Sequence, residues 1–343
     1  MIPKEKLYEF RDKIKNSSRP LIFFDDDCDG VSSFIQYYWI NTDSRGVIVK
    51  GKPELEERFV KNVDENGPDL VVVLDKPLVS EDFFNGVSQE KIWLDHHPVQ
   101  DPKGVFYLNP LNYSGESLPT SYFVYKSLRD EDKKSLWMAM VGVLGDWDMS
   151  LGDEFKKEYP DLLPQEITTP KDALFNSKIG LLVKIINFNL KGKTSDVMKS
   201  VKTLTRISDP YEILEQKSSR GKFIYKKYEK VNKVYEMHKK NVSSDDSIFV
   251  IYKYGDTTSI TGDLSNELIY EYPDKVIVVG REHNGKVMMS IRSGKYKVVD
   301  VLAKSLEGFD GYGGGHDYAC GGCVREEDFY DFIEKFKSGF LNN

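Results

Sequence analysis

Cysteine is scarce: Cys28, Cys320 and Cys323 are the only three in a chain of 343 residues. Three thiols build no disulfide framework, which points to a reducing compartment and hence the cytoplasm. Cys320 and Cys323 form a C-x-x-C, but no second pair completes a zinc site, so the motif reads as structural or incidental. Long apolar runs are missing too. None approaches the roughly 20 residues that span a bilayer, so no membrane partner is expected. The opening MIPKEKLYEFRDKIKN lacks an apolar signal core and reads as an amphipathic helix. A basic excess is also absent. The net charge of −7 argues against a surface that coats long nucleic acid by charge alone. There is no low-complexity tract and no internal repeat.

What is present is a soluble globular composition, 40% hydrophobic and 30% charged, with length enough for two cores. Short apolar runs at Leu21–Phe24, Val47–Lys50, Leu70–Leu74 and Ile92–Leu94 alternate with helical stretches such as Ser32–Ile40 and Pro119–Leu128. This is the rhythm of βαβ units and a parallel sheet. From about Asn187 to Lys240 only helices are expected. The basic stretch Gly221–Lys240 carries Tyr225, Tyr228 and Tyr235 at helical spacing. It fits a solvated helix with buried aromatics or a wall facing a phosphate backbone. Strands return at Ile248–Lys253, Lys275–Gly280 and Val287–Ile291, with a helix near Gly262–Glu271. A Gly-rich stretch, Gly308–Gly322, precedes a last amphipathic helix from about Glu326 to Phe340. The fold class expected is therefore α/β: a parallel-sheet domain over 1–190, a helical connector over 191–245, and a smaller α/β domain over 246–343.

One stretch concentrates charge. LIFFDDDCDGVSS, residues 21–33, runs a buried strand straight into Asp25, Asp26, Asp27 and Asp29. On an extended strand Asp25, Asp27 and Asp29 share one face. Carboxylates crowded on one face repel, and a divalent cation relieves that. An acidic turn capping the next helix explains the stretch equally well. Three further places have the same build. Asp75 follows LVVVL, Asp95-His96-His97 follows KIWL, and Asp146 ends MVGVLGD. Each puts an acid or imidazole at the exit of an apolar element, and ligands of parallel sheets bind beyond strand C-termini. Carboxylates with imidazole suit Mn²⁺ or Mg²⁺, and the nitrogen favours Mn²⁺.

This ordered set, D-x-D-G at Asp27–Gly30, then Asp75, Asp95-His96-His97 and Gly145-Asp146, resembles the DHH phosphoesterase family. The Ser290-Ile-Arg-Ser293 run and GGGH at Gly313–His316 resemble the domain associated with it. The resemblance covers essentially the whole chain and implies an active site in the cleft between two domains. It implies two divalent cations, with Asp27 and Asp29 ligating one each, Asp75 bridging the two, and His96 and Asp146 completing the ligand set of the second cation. Asp95 would orient the histidine, and His97 would sit near the phosphate as a catalytic group. A metal-bridging hydroxide would be the nucleophile. Arg292, Gly313, Gly314, Gly315 and His316 would hold the substrate phosphate.

Several branches of the family carry a histidine four residues before the first Asp of D-x-D. Here Phe23 stands there, and Asp25 is a candidate replacement ligand. The D-x-D-x-D-G arrangement resembles the RecJ-like branch, while the two-domain plan resembles the nano-RNase-like members. The resemblance implies Mn²⁺- or Mg²⁺-dependent exonuclease action on single-stranded DNA, RNA or short oligonucleotides, by a monomer or homodimer. Phosphatase or phosphodiesterase action on 3′-phosphoadenosine phosphate, cyclic dinucleotides or polyphosphate is the alternative within the family. A RecJ-related replication scaffold without activity is a second alternative. A covalent Asp27 nucleophile of the haloacid-dehalogenase kind is a third, and it leaves the paired histidines and GGGH unexplained. The segment Asn109–Ser121 is expected to line the same site. His238 and His283 are expected at the surface.

Overall fold

The computed structural model describes residues 1–128 and 133–341. The chain divides into two compact units, Met1–Tyr228 and Glu229–Asn343. The division falls inside one long helix, Ser219–Lys240.

The strands of the first unit are β1 (Pro20–Asp25), β2 (Arg45–Val49), β3 (Glu54–Leu55), β4 (Leu70–Leu74), β5 (Leu78–Val79), β6 (Glu90–Leu94) and β7 (Phe106–Leu108). Five of them form one sheet in the order β2-β1-β4-β6-β7, and every neighbouring pair is parallel. β3 and β5 form a separate short parallel pair. The apolar runs read as strands do form them, because a parallel strand covered on both faces needs apolar residues at every position. β4, LVVVL, is buried throughout. Leu21, Phe23, Val71, Val73, Phe83 and Trp93 belong to one core cluster. Phe24 stacks on Phe34 of the helix Cys28–Ile40 with ring centroids 4.5 Å apart. From β1 the chain adds β2 on one side and then returns to add β4 on the other. Such a reversal opens a crevice at the strand C-termini. The exits of β1 and β4 carry Asp25–Asp29 and Asp75.

The helices between 178 and 228 belong to the first unit. In the long helix Tyr228 and Tyr235 are buried and Tyr225 is half-buried, while Lys222, Lys226, Lys230 and Lys233 are exposed. The two buried tyrosines pack inward and the lysines face solvent, as on a solvated helix, while Phe223 is exposed.

The second unit has β8 (Phe249–Gly255), β9 (Val276–His283), β10 (Lys286–Ser293), β11 (Tyr312–His316) and β12 (Ala319–Arg325). The order is β11-β12-β10-β9-β8. Only β8 and β9 run parallel; the remaining pairs are antiparallel. The Gly-rich stretch is thus a hairpin, with Gly313 opposite Gly322 and Gly314 opposite Gly321. Cys320 and Cys323 stand three apart on β12, so strand alternation sends them to opposite faces. Both are buried and free, which fits a structural role. No described helix is long and apolar enough to cross a membrane.

Candidate metal centre

The acidic stretch folds differently from an extended strand. β1 ends at Asp25, the backbone turns, and the helix Cys28–Ile40 begins. Asp27 is the N-cap of that helix, and its Oδ1 accepts from the Gly30 N–H at 2.9 Å. Asp29 lies in the first turn. Gly30 sits where a Cβ would come within 2.6 Å of the Asp25 backbone, so glycine is required for this close approach. The shared face expected for Asp25, Asp27 and Asp29 therefore does not form. Alternation holds only while the chain stays extended.

Asp29 is buried, and both its oxygens are engaged. The Thr120 N–H donates to Oδ2 at 2.7 Å and the Ser121 N–H to Oδ1 at 2.8 Å. These amides open the helix Thr120–Ser127, where a carboxylate also meets the positive end of the helix dipole. Asp75 is 1% exposed and holds a left-handed backbone at φ 57°, which Asp tolerates better than most residues. Its N–H donates to Leu94 O at 3.0 Å, extending the ladder between β4 and β6. Its Oδ1 accepts from the Thr120 hydroxyl at 3.2 Å, while Oδ2 is buried with no hydrogen-bond partner.

His96 brings these groups together. Its Nε2 lies 3.1 Å from Asp146 Oδ2, 3.4 Å from Asp75 Oδ1 and 4.0 Å from Asp29 Oδ2. Its Nδ1 is 3.2 Å from Ser117 Oγ, and the Ser117 hydroxyl donates to His96 O at 2.7 Å. With that proton spoken for, Ser117 accepts from Nδ1–H, so Nε2 is the nitrogen turned toward the carboxylates, and it is Nε2 that would carry the lone pair once the ring is neutral. The family resemblance gave the orienting role to Asp95. The geometry corrects this: Asp95 Oδ1 is 2.8 Å from His97 Nδ1, and Oδ2 accepts the His97 N–H at 3.0 Å. The buried Asn109 adds a bond from Nδ2 to His97 O at 2.8 Å.

Asp146 reaches the centre because the helix Leu136–Gly145 packs closely on the helix Cys28–Ile40. A Cβ on Gly145 would lie 2.6 Å from that of Cys28. Asp25 is placed differently. Its Oδ1 is 3.1 Å from Nζ of Lys76, a fully buried lysine that also donates to Lys52 O at 2.9 Å. Asp26 faces Lys50 at 3.7 Å. Phe23 is buried, edge-on to Phe59 and Phe83.

The electrostatics follow from the crowding. Burial, with the Asp146 charge next, raises Asp29 to about 6. Burial and the charges of Asp29, Asp27 and Asp146 push Asp75 well above the usual carboxylate range. Asp27 is raised in the same direction by burial and by Asp146, Asp25 and Asp29. Its side chain opens to solvent, so the neighbouring carboxylates weigh more there than burial does. Burial works against a charged His96, but its bond to Asp146 and the charges of Asp29 and Asp146 outweigh it, and its pKa rises to about 9. A cation among these oxygens would remove the repulsion. Two groups are close enough to hold one: Asp29, His96 and Asp146, and Asp75, His96 and His97. The orphaned Asp75 Oδ2 and an oxygen-rich set with one imidazole fit Mn²⁺ or Mg²⁺.

In the second unit, Arg292 Nε donates to Asn266 Oδ1 at 2.9 Å, and Nη1 donates to Ile291 O at 2.9 Å and Cys320 O at 3.2 Å. Gly313, Gly314, Gly315 and His316 lie on β11, an exposed edge strand. Gly315 has φ 146°, and a Cβ there would meet Ala319 O at 2.4 Å. His283 is exposed as expected. His238 is not at the surface: it is 7% exposed, with Nδ1 2.9 Å from the Tyr252 hydroxyl. Ser117, Asn109 and Lys76 are the residues sequence reasoning passed over. Ser117 and Asn109 fall in the segment already expected to line the site, and Lys76 directly follows Asp75.

Residues 245–341 match the model of the DHHA1 domain. Against curated proteins the sequence has no match. Solved structures match the whole chain. RecJ in complex with Mn²⁺ from Thermus thermophilus superposes with a TM-score of 0.71 at 14% identity, over 100% of this chain and 55% of that one. The chain has the fold of the DHH phosphoesterases. PggH, a pGpG-specific phosphodiesterase from Vibrio, shares this DHH fold with a TM-score of 0.54 at 12% identity, over 95% of this chain and 100% of that one. CDC45 from Entamoeba histolytica gives 0.54 at 10%, over 98% and 99%. The chain thus spans about half the length of the first of these relatives and nearly all of the other two.

Proposed function

We propose that this protein is a divalent-cation-dependent phosphodiesterase that shortens single-stranded oligonucleotides from an end. The observation that carries the reading is that carboxylates of Asp29, Asp75 and Asp146, from three separate elements, all lie within 4.0 Å of His96 Nε2, while the other oxygen of Asp75 is buried with no partner. Such a set costs stability unless it holds a cation. When bound, Mn²⁺ or Mg²⁺ supplies a Lewis acid for the phosphoryl oxygens and an activated water at neutral pH. The chain's own residues do the rest. Asp29 is fixed by two backbone amides and Asp75 by Thr120. His96 is aimed by Ser117. His97, held by Asp95 and Asn109, is the group set to touch the scissile phosphate or give a proton to the leaving oxygen. Arg292 and the Gly313–His316 strand hold the substrate phosphate, where the three glycines, bare of side chains, let a ligand approach the backbone.

Single-stranded DNA or RNA is the substrate class we favour, and the likeness to a pGpG-specific phosphodiesterase supports including dinucleotides. Three cysteines with no disulfide among them support a cytoplasmic setting. The test offers the purified chain with Mn²⁺ end-labelled DNA and RNA oligomers of two lengths, a dinucleotide and polyphosphate. Oligomer shortening is expected, with a loss of at least about 100-fold in His96→Ala. Turnover of polyphosphate above every oligomer would overturn the nuclease assignment. Hydrolysis unaffected by His96→Ala would overturn the metal centre.

A further inference from the structure

The donor set crowds around His96 and thins toward Asp25. Both groups of side chains able to share a cation contain His96, and neither contains Asp25 or Asp27. All of these residues are described. On the Asp25 side, three features work against a second ion. Phe23 offers no lone pair and is locked in the core between aromatic rings. Asp27 spends one oxygen on the Gly30 N–H, capping a helix. Asp25 is already paired with a cation, because the Lys76 Nζ lies 3.1 Å from its Oδ1.

Lys76 is an unusual tenant. Its side chain is fully buried, and a buried ammonium persists only when paired and hydrogen-bonded. Both conditions are met, by Asp25 Oδ1 and Lys52 O. A divalent ion brought to Asp25 would face that fixed charge at close range, with Coulomb repulsion only weakly screened. On the other side, Asp75 Oδ1 lies 3.4 Å from His96 Nε2 and the second oxygen of that carboxylate is buried with no partner, so the vacant coordination lies with Asp75.

We infer that the centre binds one divalent cation, within Asp29, Asp75, His96 and Asp146, and that the Lys76 ammonium supplies the positive charge that a second cation would bring on the Asp25 side. This rests on the metal-dependent reading above and changes its stoichiometry. The two-cation expectation gives way because Phe23 and Lys76 take from Asp25 the company a metal ligand needs. Lys76 thereby becomes a positioning residue: it holds Asp25 and balances the carboxylates without touching the ion.

The experiment counts Mn²⁺ on the intact, chelator-stripped chain at neutral pH, by calorimetry and by the electron paramagnetic resonance of free and bound ion. One equivalent with the spectrum of an isolated ion is expected. Two equivalents with the exchange-coupled spectrum of a close pair would overturn the inference and leave the metal-dependent reading intact. No binding at millimolar Mn²⁺ would overturn that reading itself. Lys76→Met removes the charge at nearly constant volume and is expected to admit a second equivalent, whereas Lys76→Arg keeps one. A count that stays at one in a folded Lys76→Met chain would remove Lys76 from the role given to it. The native count decides the stoichiometry even if that variant fails to fold.

Discussion

A histidine holds a cation through the nitrogen whose lone pair faces it, and the partner on the other nitrogen decides which one that is. Here the partner is Ser117. Its hydroxyl proton goes to His96 O, so its oxygen can only accept from Nδ1–H. Ser117→Ala removes the acceptor and lets the ring rotate or change tautomer. Mn²⁺ affinity is expected to fall about 10- to 100-fold, the usual cost of losing such a support. Ser117→Thr keeps the oxygen and should recover most of it. Calorimetric titration of both variants checks this, with nitrogen NMR of the His96 ring to follow the tautomer. Equal affinity in the native and alanine chains would show that the ring is held by the carboxylates alone. Asp95→Asn, which acts on His97, should leave Mn²⁺ affinity within a few-fold of native while slowing hydrolysis.

At the scale of elements, the centre depends on how closely two helices approach. Gly145 and Cys28 meet where one more Cβ leaves only 2.6 Å. Gly145→Ala would push the helix Leu136–Gly145 outward and carry Asp146 with it. Overpacking of this kind typically costs about 1–3 kcal/mol, and Mn²⁺ affinity should drop with it. Combining Gly145→Ala with Cys28→Gly moves the missing Cβ to the other helix and should restore affinity, as measured by titration and melting. No recovery would mean that Gly145 is needed for backbone reasons instead. Elements with strong local patterns were legible in the sequence: the apolar strands, the helix near 261–271 and the order of the ligand-bearing exits. The hairpin β11–β12 was not, because glycine suppresses strand propensity and leaves no alternation to read. Nor was the turn at Asp26–Asp27, since four acids in five residues look the same extended or capping. Asp29, Asp75, His96 and Asp146 were visible as residue types at strand and helix exits. Their partners Ser117 and Thr120 were not, nor was Lys76, the partner of Asp25, because a hydrogen bond across 21, 45, 51 or 91 residues leaves no periodic trace.

For the whole molecule, the centre links folding, protons and metal. Asp29 is lifted from 3.8 to about 6, so between those values the folded chain keeps a proton that the unfolded chain has released. Its contribution to stability therefore falls as pH rises through that window. Asp27 and Asp75, lifted well above 3.8, continue the loss at higher pH. His96 has the same sign. Raised from 6.5 to about 9, its charged form contributes fully below 6.5, and the contribution fades as pH climbs through 9. The metal-free chain should thus lose stability from this centre steadily between pH 5 and 9. Bound metal needs ionised carboxylates and a neutral imidazole, so binding releases protons and strengthens with pH, by about tenfold per unit for each proton displaced. Melting the chain at intervals from pH 5 to 9, with chelator and with saturating Mn²⁺, isolates this centre from other titrating groups, because they contribute to both curves alike. The gap in melting temperature should widen from pH 5 to 8. In Asp75→Asn, which removes one buried charge, the metal-free slope should flatten and the gap should shrink toward zero. A gap that stays constant across the range would mean that the cation is not held by the raised carboxylates and His96.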